Sequence, residues 1–229
     1  MGDVAHIIIF FAALAAVVAV LIYRFYTASK RRDELALLAM KMGCEFHIND
    51  PFNIAMLYDG FDCISCGHDR EASNVIVGRV DNRDFKAFDC SYKTSSGKSE
   101  AVHRLSAIVL DTDVAFPGLL IRLESVFDRL AGAIGFDDID FESDEFSRRF
   151  YVKSDDKKFA YDVIHEKMME FLMADPRWGV QMLLRSVMVY TGSTFTVEEF
   201  SAGIEFLREF MGLLPDYLWQ TLRGSGRSR

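Results

Sequence analysis

Cys63, Cys66 and His68 form a CxxCxH string, which is the most metal-like pattern in the chain. Two thiolates three residues apart can grip one zinc ion, and a nearby imidazole can supply a third ligand. A structural zinc site needs four ligands, however, and the chain has no second CxxC pair and no HxxxH pair. Ordinary loop cysteines are therefore the simpler interpretation. Residues that would have to complete the site by folding are Cys44, His47 and Cys90.

A dense acidic stretch contains Asp138, Asp140 and Glu142, which share one face if the stretch is an extended strand. Hard cations favour such carboxylate oxygens, but the calcium-loop pattern with its glycine and terminal glutamate is absent. Ile139 and Phe141 would occupy the opposite face, as in a strand with one solvated side. The solvated-strand interpretation is favoured over a metal site.

His103, Arg104 and His165 are isolated candidates for acid–base chemistry. None of them has a partner at a recognisable spacing, so each is interpreted as an ordinary surface or core residue. The chain has no P-loop and no GxGxxG, GxSxG or HExxH motif, which leaves nucleotide-dependent and common hydrolase mechanisms without support. The sequence therefore names no catalytic residue and no cofactor, and an enzyme is not the favoured class.

An apolar run from Val4 to Tyr23 precedes all of these residues. A helix of about 20 apolar residues covers roughly 30 Å, the thickness of the hydrocarbon core of a bilayer. A cleaved signal peptide would need basic residues ahead of a shorter apolar core, and a soluble core helix would show polar residues at the helical period. Residues 4–23 are therefore predicted to be a transmembrane helix whose partner is the lipid bilayer.

Basic residues follow the apolar run at Arg24 and Lys30–Arg32, whereas none precedes it. Lysine and arginine next to a span resist translocation. This asymmetry predicts a single-pass protein of the cell membrane (inner or plasma) with its N-terminus outside and its C-terminal domain in the cytoplasm. Lys30–Arg32 can also contact anionic headgroups, although three cations make a weak patch.

The composition limits the class of partner and the compartment. The 229 residues carry a formal net charge of −8, and such a chain repels a polyanion, so no nucleic-acid partner is expected. About 200 residues behind the span suffice for one domain with a sizeable core. Four cysteines are too few to stabilise a domain of that size through disulfide bonds. Reduced thiols are in keeping with a cytoplasmic domain.

Strands come first and helices later in the part behind the span. Runs rich in β-branched and aromatic residues at 74–80, 85–93 and 102–111 are separated by turn residues and indicate an antiparallel meander. The clearest later helix starts at Thr196, which has capping-box spacing with Glu199. The predicted fold class is α+β, an antiparallel sheet packed by helices and preceded by one N-terminal transmembrane helix.

Further predicted elements fill the rest of the chain. Helices are expected where apolar residues recur at the helical period, and strands where short apolar runs are bounded by turn residues. The predicted helices are residues 30–42 (ended by Gly43), 125–134 and a stretch capped by Asp155 or Asp156 that ends at Pro176; the strands are 119–123, 146–153 and 181–191. The predicted organisation is a short tail at 1–3, the transmembrane helix at 4–23, a juxtamembrane helix or linker at 24–43, the cytoplasmic domain at 44–222 and a disordered basic tail at 223–229.

Four short motifs occur in the order NxIxG at Asn74–Gly78, FDxxY at Phe88–Tyr92, DIDF at Asp138–Phe141 and FSRxF at Phe146–Phe150. In these motifs the chain resembles a family of uncharacterised bacterial and archaeal membrane proteins. The resemblance covers about residues 60–175. It implies one N-terminal span followed by a cytoplasmic domain, and it carries no activity.

The leading functional hypothesis is a membrane-anchored cytoplasmic domain that binds a protein partner or itself, as an interaction or scaffold module without chemistry of its own. An interaction role needs only a surface, and a surface leaves little trace in one sequence. The alternative is a metal-binding module or metal-dependent enzyme that uses the CxxCxH string or the acidic stretch.

Overall fold

The computed structural model describes residues 2–97, 99–124, 139 and 141–225. Over these residues the chain forms one antiparallel sheet with helices packed on it, so the predicted α+β class is confirmed. The described elements, in chain order, are α1 (Gly2–Lys41), β1 (Glu45–Asn49), α2 (Ile54–Leu57), β2 (His68–Val80), β3 (Arg83–Ser96), β4 (Ser99–Leu123), α3 (Asp144–Arg149), β5 (Phe150–Ser154), α4 (Lys157–Val163), α5 (Glu166–Ala174), β6 (Gly179–Tyr190), α6 (Val197–Leu213) and α7 (Asp216–Ser225).

α1 is one uninterrupted helix of 40 residues. Its segment Ile9–Lys41 contains a stretch long and apolar enough to cross a membrane, and that stretch is not buried against the rest of the described chain. The helix continues without a break into the predicted juxtamembrane helix and ends where Gly43 adopts a φ of +67°. Glycine takes this left-handed conformation without strain, and Cys44 N donates to Ala39 O at 2.8 Å to close the last turn.

The sheet is entirely antiparallel among the described strands. β1, β2, β3 and β4 are neighbours in that order, and β6 pairs with the other edge of β4. β5 pairs with the last residues of β4, beyond the stretch that β3 occupies. The predicted meander is confirmed, but β4 has 25 residues and includes the run at 119–123 that the sequence indicated as a separate strand.

Both faces of the sheet are covered. On one face the end of α1 packs with α6, and Leu35, Ala39 and Phe200 are buried there with sheet residues Phe85 and Ile108. On the other face α2 and the segment that follows it cover the aromatic side of β3. Buried members of this second cluster are Ile54, Tyr58, Phe61, Cys63, Phe88, Cys90, Tyr92 and Tyr190.

Three predicted boundaries differ from the structure. The run at 146–153 divides into α3, capped by the Ser143 side chain, and β5. The helix capped by Asp156 divides into α4 and α5 because His165 starts a new helix. Residues 223–225 of the predicted disordered tail belong to α7, whereas the helix predicted at 125–134 lies outside the described residues.

Candidate functional site

Arg31, on the last third of α1, reaches from the helix to the centre of the sheet. Its Nη1 and Nη2 atoms donate to Asp89 Oδ2 and Oδ1 at 2.6 and 2.9 Å, which is a bidentate ion pair. Its Nε and Nη2 atoms also donate to the backbone oxygen of Phe195 at 3.1 and 2.8 Å. The planar guanidinium suits this arrangement because its donors form a rigid fork. One side chain thus joins α1 to β3 and to the segment before α6.

Two more side chains complete the hydrogen bonding of Asp89. Asn74 Nδ2 donates to Oδ2 at 2.8 Å, and Ser106 Oγ donates to Oδ1 at 2.5 Å. The Ser106 hydroxyl in turn accepts from Phe195 N at 2.8 Å. Arg31, Asn74, Asp89, Ser106 and Phe195 therefore form one connected set, called the Arg31 network below.

Local backbone features place the members of the network. Asn74 has a φ of +51° and lies in a register shift between Ser73 and Ile76, the mark of a β-bulge in β2. Asparagine tolerates this left-handed conformation better than most residues, and a bulge re-aims the side chains around it. The bulge therefore brings the Asn74 amide to the same carboxylate that Arg31 binds.

The start of α6 fixes the acceptor on Phe195. Thr196 caps the helix by accepting from Glu199 N, and Glu199 accepts from Thr196 N in return, which confirms the predicted capping box. The Phe195 ring is buried against Trp178 and Phe200, with centroids 5.2 Å apart in both pairs. Because its ring and the following residue are both fixed, the Phe195 oxygen is a rigid partner for Arg31.

The network is built from an ion pair and hydrogen bonds around a buried carboxylate. Asp89 is only 7% exposed, and a buried carboxylate is tolerated when it is paired and fully hydrogen-bonded. The guanidinium acts here as a hydrogen-bond donor and as the positive partner of the ion pair. The network holds α1 to the domain, and it places Leu35 and Ala39 in the domain core.

The three basic side chains of Lys30–Arg32 have different surroundings in the structure. Lys30 is exposed and lies 3.7 Å from Glu34 on its own helix. Arg31 is committed to Asp89, and Arg32 is half-buried with an Nε atom that has no hydrogen-bond partner among the described residues. Of the three cations that the sequence places behind the apolar run, Arg31 therefore has its charge used inside the fold.

The residues of the CxxCxH string point to different partners. Cys63 is buried, with Sγ 3.3 Å from Met188 Sδ, whereas Cys66 Sγ donates to Asp62 O at 3.1 Å. His68 is exposed and its Nε2 lies 3.0 Å from Ser95 Oγ. Across residues 2–97, 99–124, 139 and 141–225, no group of three or more His, Cys, Asp or Glu side chains is arranged to hold a metal ion.

Burial keeps the cysteines of this region protonated. It raises the pKa of Cys63 and Cys66 above the ordinary thiol value, and it raises the pKa of Cys90 to about 11. The thiolate is the form that binds metals and attacks electrophiles, so these thiols are weak ligands and weak nucleophiles at neutral pH. Tyr92, beside them in the same cluster, has its pKa raised by burial to about 12.

The acidic stretch is described only in part, because Asp138 and Asp140 lie outside the described residues. Ile139 and Phe141 are buried and Glu142 is exposed. For these three residues the inside–outside alternation is the one expected for a stretch with one solvated side. The described part therefore contains a single member, Glu142, of the proposed carboxylate set.

A second polar cluster lies on the opposite face of the sheet from α1. Lys86 Nζ donates to Asp111 Oδ2 at 3.0 Å and to Tyr58 OH at 3.2 Å, and Ser186 Oγ donates to Asp111 Oδ1 at 2.8 Å. Burial raises the pKa of Tyr58 to about 12. Burial alone would lower the pKa of Lys86, but Tyr58 and Asp111 outweigh it and the pKa is raised. Neither group exchanges its proton near neutral pH, so the cluster pins α2 to the sheet and offers no acid–base pair.

The isolated histidines are engaged in local structure. His165 caps α5 by accepting from Met168 N at 3.4 Å, and its Nε2 lies 3.0 Å from Leu213 O. His103 stacks on Tyr92 with ring centroids 4.9 Å apart, and its Nε2 lies 2.8 Å from Thr94 Oγ1. Both rings therefore have structural partners within the fold.

Comparison with known proteins identifies a similar fold. No protein-family model matches the chain, and no curated protein matches its sequence. The fold is similar to the crystal structure of the mycobacterial trehalose monomycolate transport factor A, TtfA, with a TM-score of 0.59 and 15% sequence identity. The match covers 81% of this chain and 95% of the TtfA chain. At this identity the likeness shows that the two chains share a fold.

Proposed function

We propose that this chain is a single-pass membrane protein whose cytoplasmic domain is a non-catalytic scaffold for a membrane-embedded partner in a transport process. The observation that carries the proposal is the Arg31 network, which makes the end of the membrane helix part of the domain core. A scaffold of this kind holds its partner surface at a fixed height and rotation above the bilayer.

A continuous helix sets both of those quantities. Each residue of an α-helix adds about 1.5 Å of length and about 100° of rotation, so a rigid connection relates every surface of the domain to the lipid. A simple tether needs no such precision and works equally well through a flexible linker. The buried ion pair at Arg31 favours the rigid arrangement.

The similarity to TtfA supports the part of the proposal that concerns a transport process. That protein is a transport factor, and it shares the fold over most of both chains. We carry over to this chain an accessory role in membrane transport, and we name no cargo. The cytoplasmic side is supported by Arg24 and Lys30–Arg32, because these cations act on topology while the chain is being inserted, before Arg31 pairs with Asp89.

A matched pair of insertions tests the proposal in the organism that encodes the chain. One variant carries seven helix-forming residues (Ala, Glu and Lys) after Thr27, and the other carries seven Gly and Ser residues at the same place. The helical insert preserves rigidity and returns the domain to within about 20° of its native rotation, roughly 10 Å higher. The measurement is chemical cross-linking of intact membranes, followed by identification of the partners.

For the native chain we expect cross-links from the domain to an integral membrane protein. The Gly/Ser variant stays in the membrane, and we expect its cross-links to be spread over many sites of the partner. We expect the helical variant to give cross-links at defined sites that are shifted along the partner. Identical cross-links from the native chain and the Gly/Ser variant would contradict a rigid scaffold. The absence of any membrane-protein cross-link to the native chain would contradict the scaffold role itself.

A further inference from the structure

The β3–β4 hairpin extends from the Arg31 network toward the side on which α1 leaves the domain. The direction of α1 is fixed at two levels of the sheet. Near its start in the domain Arg31 meets Asp89 and shares it with Asn74. Just after its end Cys44 Sγ occupies the space that a Cβ atom at Gly78 would need. α1 therefore runs in the same sense as β2 from Asn74 to Gly78, and β3 runs in the opposite sense.

From the level of Asp89, β3 continues in the direction of the predicted span. Asp89 pairs with Ser106, and the ladder extends without a register shift to the pair Ser96 and Ser99. These seven further residues of β3 cover roughly 23 Å along the strand, at about 3.3 Å per residue. The seven helical residues from Arg31 back to Arg24 cover only about 10 Å.

This difference in length brings the hairpin tip to the membrane surface. Even if the strands are inclined by about 60° to the helix axis, the tip advances by roughly 11 Å and draws level with Arg24. Arg24 is the first charged residue behind the apolar run that starts at Val4. The tip therefore reaches the depth at which, with α1 across the bilayer, the hydrocarbon core ends and the headgroups begin.

The hairpin has the chemistry of a headgroup contact. Ser95, Ser99 and Arg104 are exposed, and these hydroxyl and guanidinium groups can donate hydrogen bonds to lipid phosphates. Val102 is 50% exposed and lies three residues behind Ser99, on the domain side of the tip. The exposed carboxylate of Glu100 opposes deeper insertion.

Contacts with β2 keep the hairpin in this direction. Lys93 Nζ donates to Asp69 Oδ2 at 3.0 Å, and Ser95 Oγ lies 3.0 Å from His68 Nε2. The stacked rings of Tyr92 and His103 join the two strands of the hairpin itself. The hairpin is thus an extension of the sheet and not an independent loop.

We propose that the β3–β4 hairpin lies in the lipid headgroup layer of the membrane that α1 crosses and forms a second contact of the domain with the bilayer. The inference rests on the proposed function only in requiring that α1 span the membrane. With two contacts, the helix and the hairpin, the domain can no longer tilt freely toward or away from the hairpin side.

Spin labels on the full-length chain in phosphatidylcholine vesicles test the contact. Single cysteines replace Ser99 or Val102 at the hairpin, Lys158 in α4 as the distal control, or Val17 within the span. The half-buried native thiols are removed by Cys44→Ala and Cys66→Ala, and the buried Cys63 and Cys90 stay. A nickel chelate attached to lipid headgroups relaxes labels that lie close to them, and dissolved oxygen relaxes labels inside the bilayer.

The nickel lipid is expected to relax the labels at Ser99→Cys and Val102→Cys several-fold more than the label at Lys158→Cys. Equal nickel relaxation at the hairpin and at Lys158→Cys, with strong oxygen relaxation at Val17→Cys, would overturn the hairpin contact and leave the proposed function standing. A label at Val17→Cys that behaves as if in water would overturn the span and, with it, the proposed function.

Discussion

Asp89 and Asp84 lie on the same strand and each pairs with an arginine, but their surroundings differ. Asp89 is buried and receives four hydrogen bonds, whereas Asp84 and its partner Arg79 are both about two-thirds exposed, at 63% and 65%. Removing one partner of a buried pair leaves an uncompensated charge, but an exposed pair is screened by water. The contribution of an ion pair to the stability of this domain therefore depends on how deeply the pair is buried.

We expect Asp89→Ala to lower the free energy of unfolding by about 2–4 kcal/mol. This is less than the cost of breaking a fully buried ion pair, because Arg31 keeps some contact with solvent. The matched control Asp84→Ala should cost about 0–1 kcal/mol. Urea unfolding of the full chain in detergent, followed by tryptophan fluorescence, measures both. Equal losses for the two variants would show that the Arg31 network is not a stabilising centre.

The protonated thiols and phenols predict a loss of stability in alkali. Burial raises the pKa of Cys90 from 9.0 to about 11 and that of Tyr58 from 10.0 to about 12, so the folded state holds each proton more tightly than the unfolded chain does. This contribution is complete below the unfolded pKa and is lost as pH rises through the folded one. The expected window is therefore pH 9 to 12, with a slope of at most about 1.4 kcal/mol per pH unit for each group.

Urea midpoints measured at a series of pH values between about 8 and 11 check this prediction. Cys90→Ala removes one titrating group and should flatten the fall in midpoint over the first part of the window. The comparison uses slopes, so a uniform loss of stability from the smaller side chain does not affect it. An unchanged slope in Cys90→Ala would contradict the role of that thiol.

Residue types alone did not reveal the candidate site. Arg31 stands in a run of three cations behind the apolar run, where contact with headgroups is the common role. Its partner Asp89 is 58 residues away along the chain, and only the pairing of β3 with its neighbours brings Ser106 and Asn74 to the same carboxylate. A signal did exist in the lone carboxylate that follows Phe85 and Ala87 on one side of β3.

At the scale of elements, the sequence predicted where helices start better than it predicted how long helices and strands are. The capping box at Thr196 and the cap at Asp156 are sequence patterns with a short-range cause, and both were confirmed. The division between α4 and α5 was missed because the apolar stripe continues through His165 at the helical period. The full length of β4 was missed because its second half pairs with β5 and β6, which are distant in sequence.

Thr196 connects one of these local signals to the site. Thr196→Ala removes the hydroxyl that accepts from Glu199 N, and loss of such a cap costs about 1 kcal/mol. Ser201→Ala, an exposed change inside the same helix, should be neutral or slightly stabilising because alanine is the better helix former. Thermal unfolding of the two variants provides the comparison, and equal behaviour would show that the cap contributes little.

The whole molecule is expected to cross the membrane once, with the domain inside. In intact cells a membrane-impermeant maleimide should modify Gly2→Cys, and it should modify Lys158→Cys only after permeabilisation, in the background that lacks Cys44 and Cys66. Alkaline carbonate should leave the chain in the membrane pellet, because about 20 apolar residues are held by lipid and not by charge. Modification of Lys158→Cys in intact cells would show that the domain lies outside and that the predicted topology is wrong.

The 25 residues of β4 also have a consequence for biosynthesis. Its first partner, β3, precedes it, but β6 leaves the ribosome only after a further stretch of chain that takes some seconds to translate, at about 5–20 residues per second. During that interval β4 exposes a long row of unpaired amides, and an unpaired strand edge readily pairs with another chain. A nonsense mutation ahead of Gly179 would make this interval permanent, and the truncated product should accumulate as membrane-bound aggregates or be degraded.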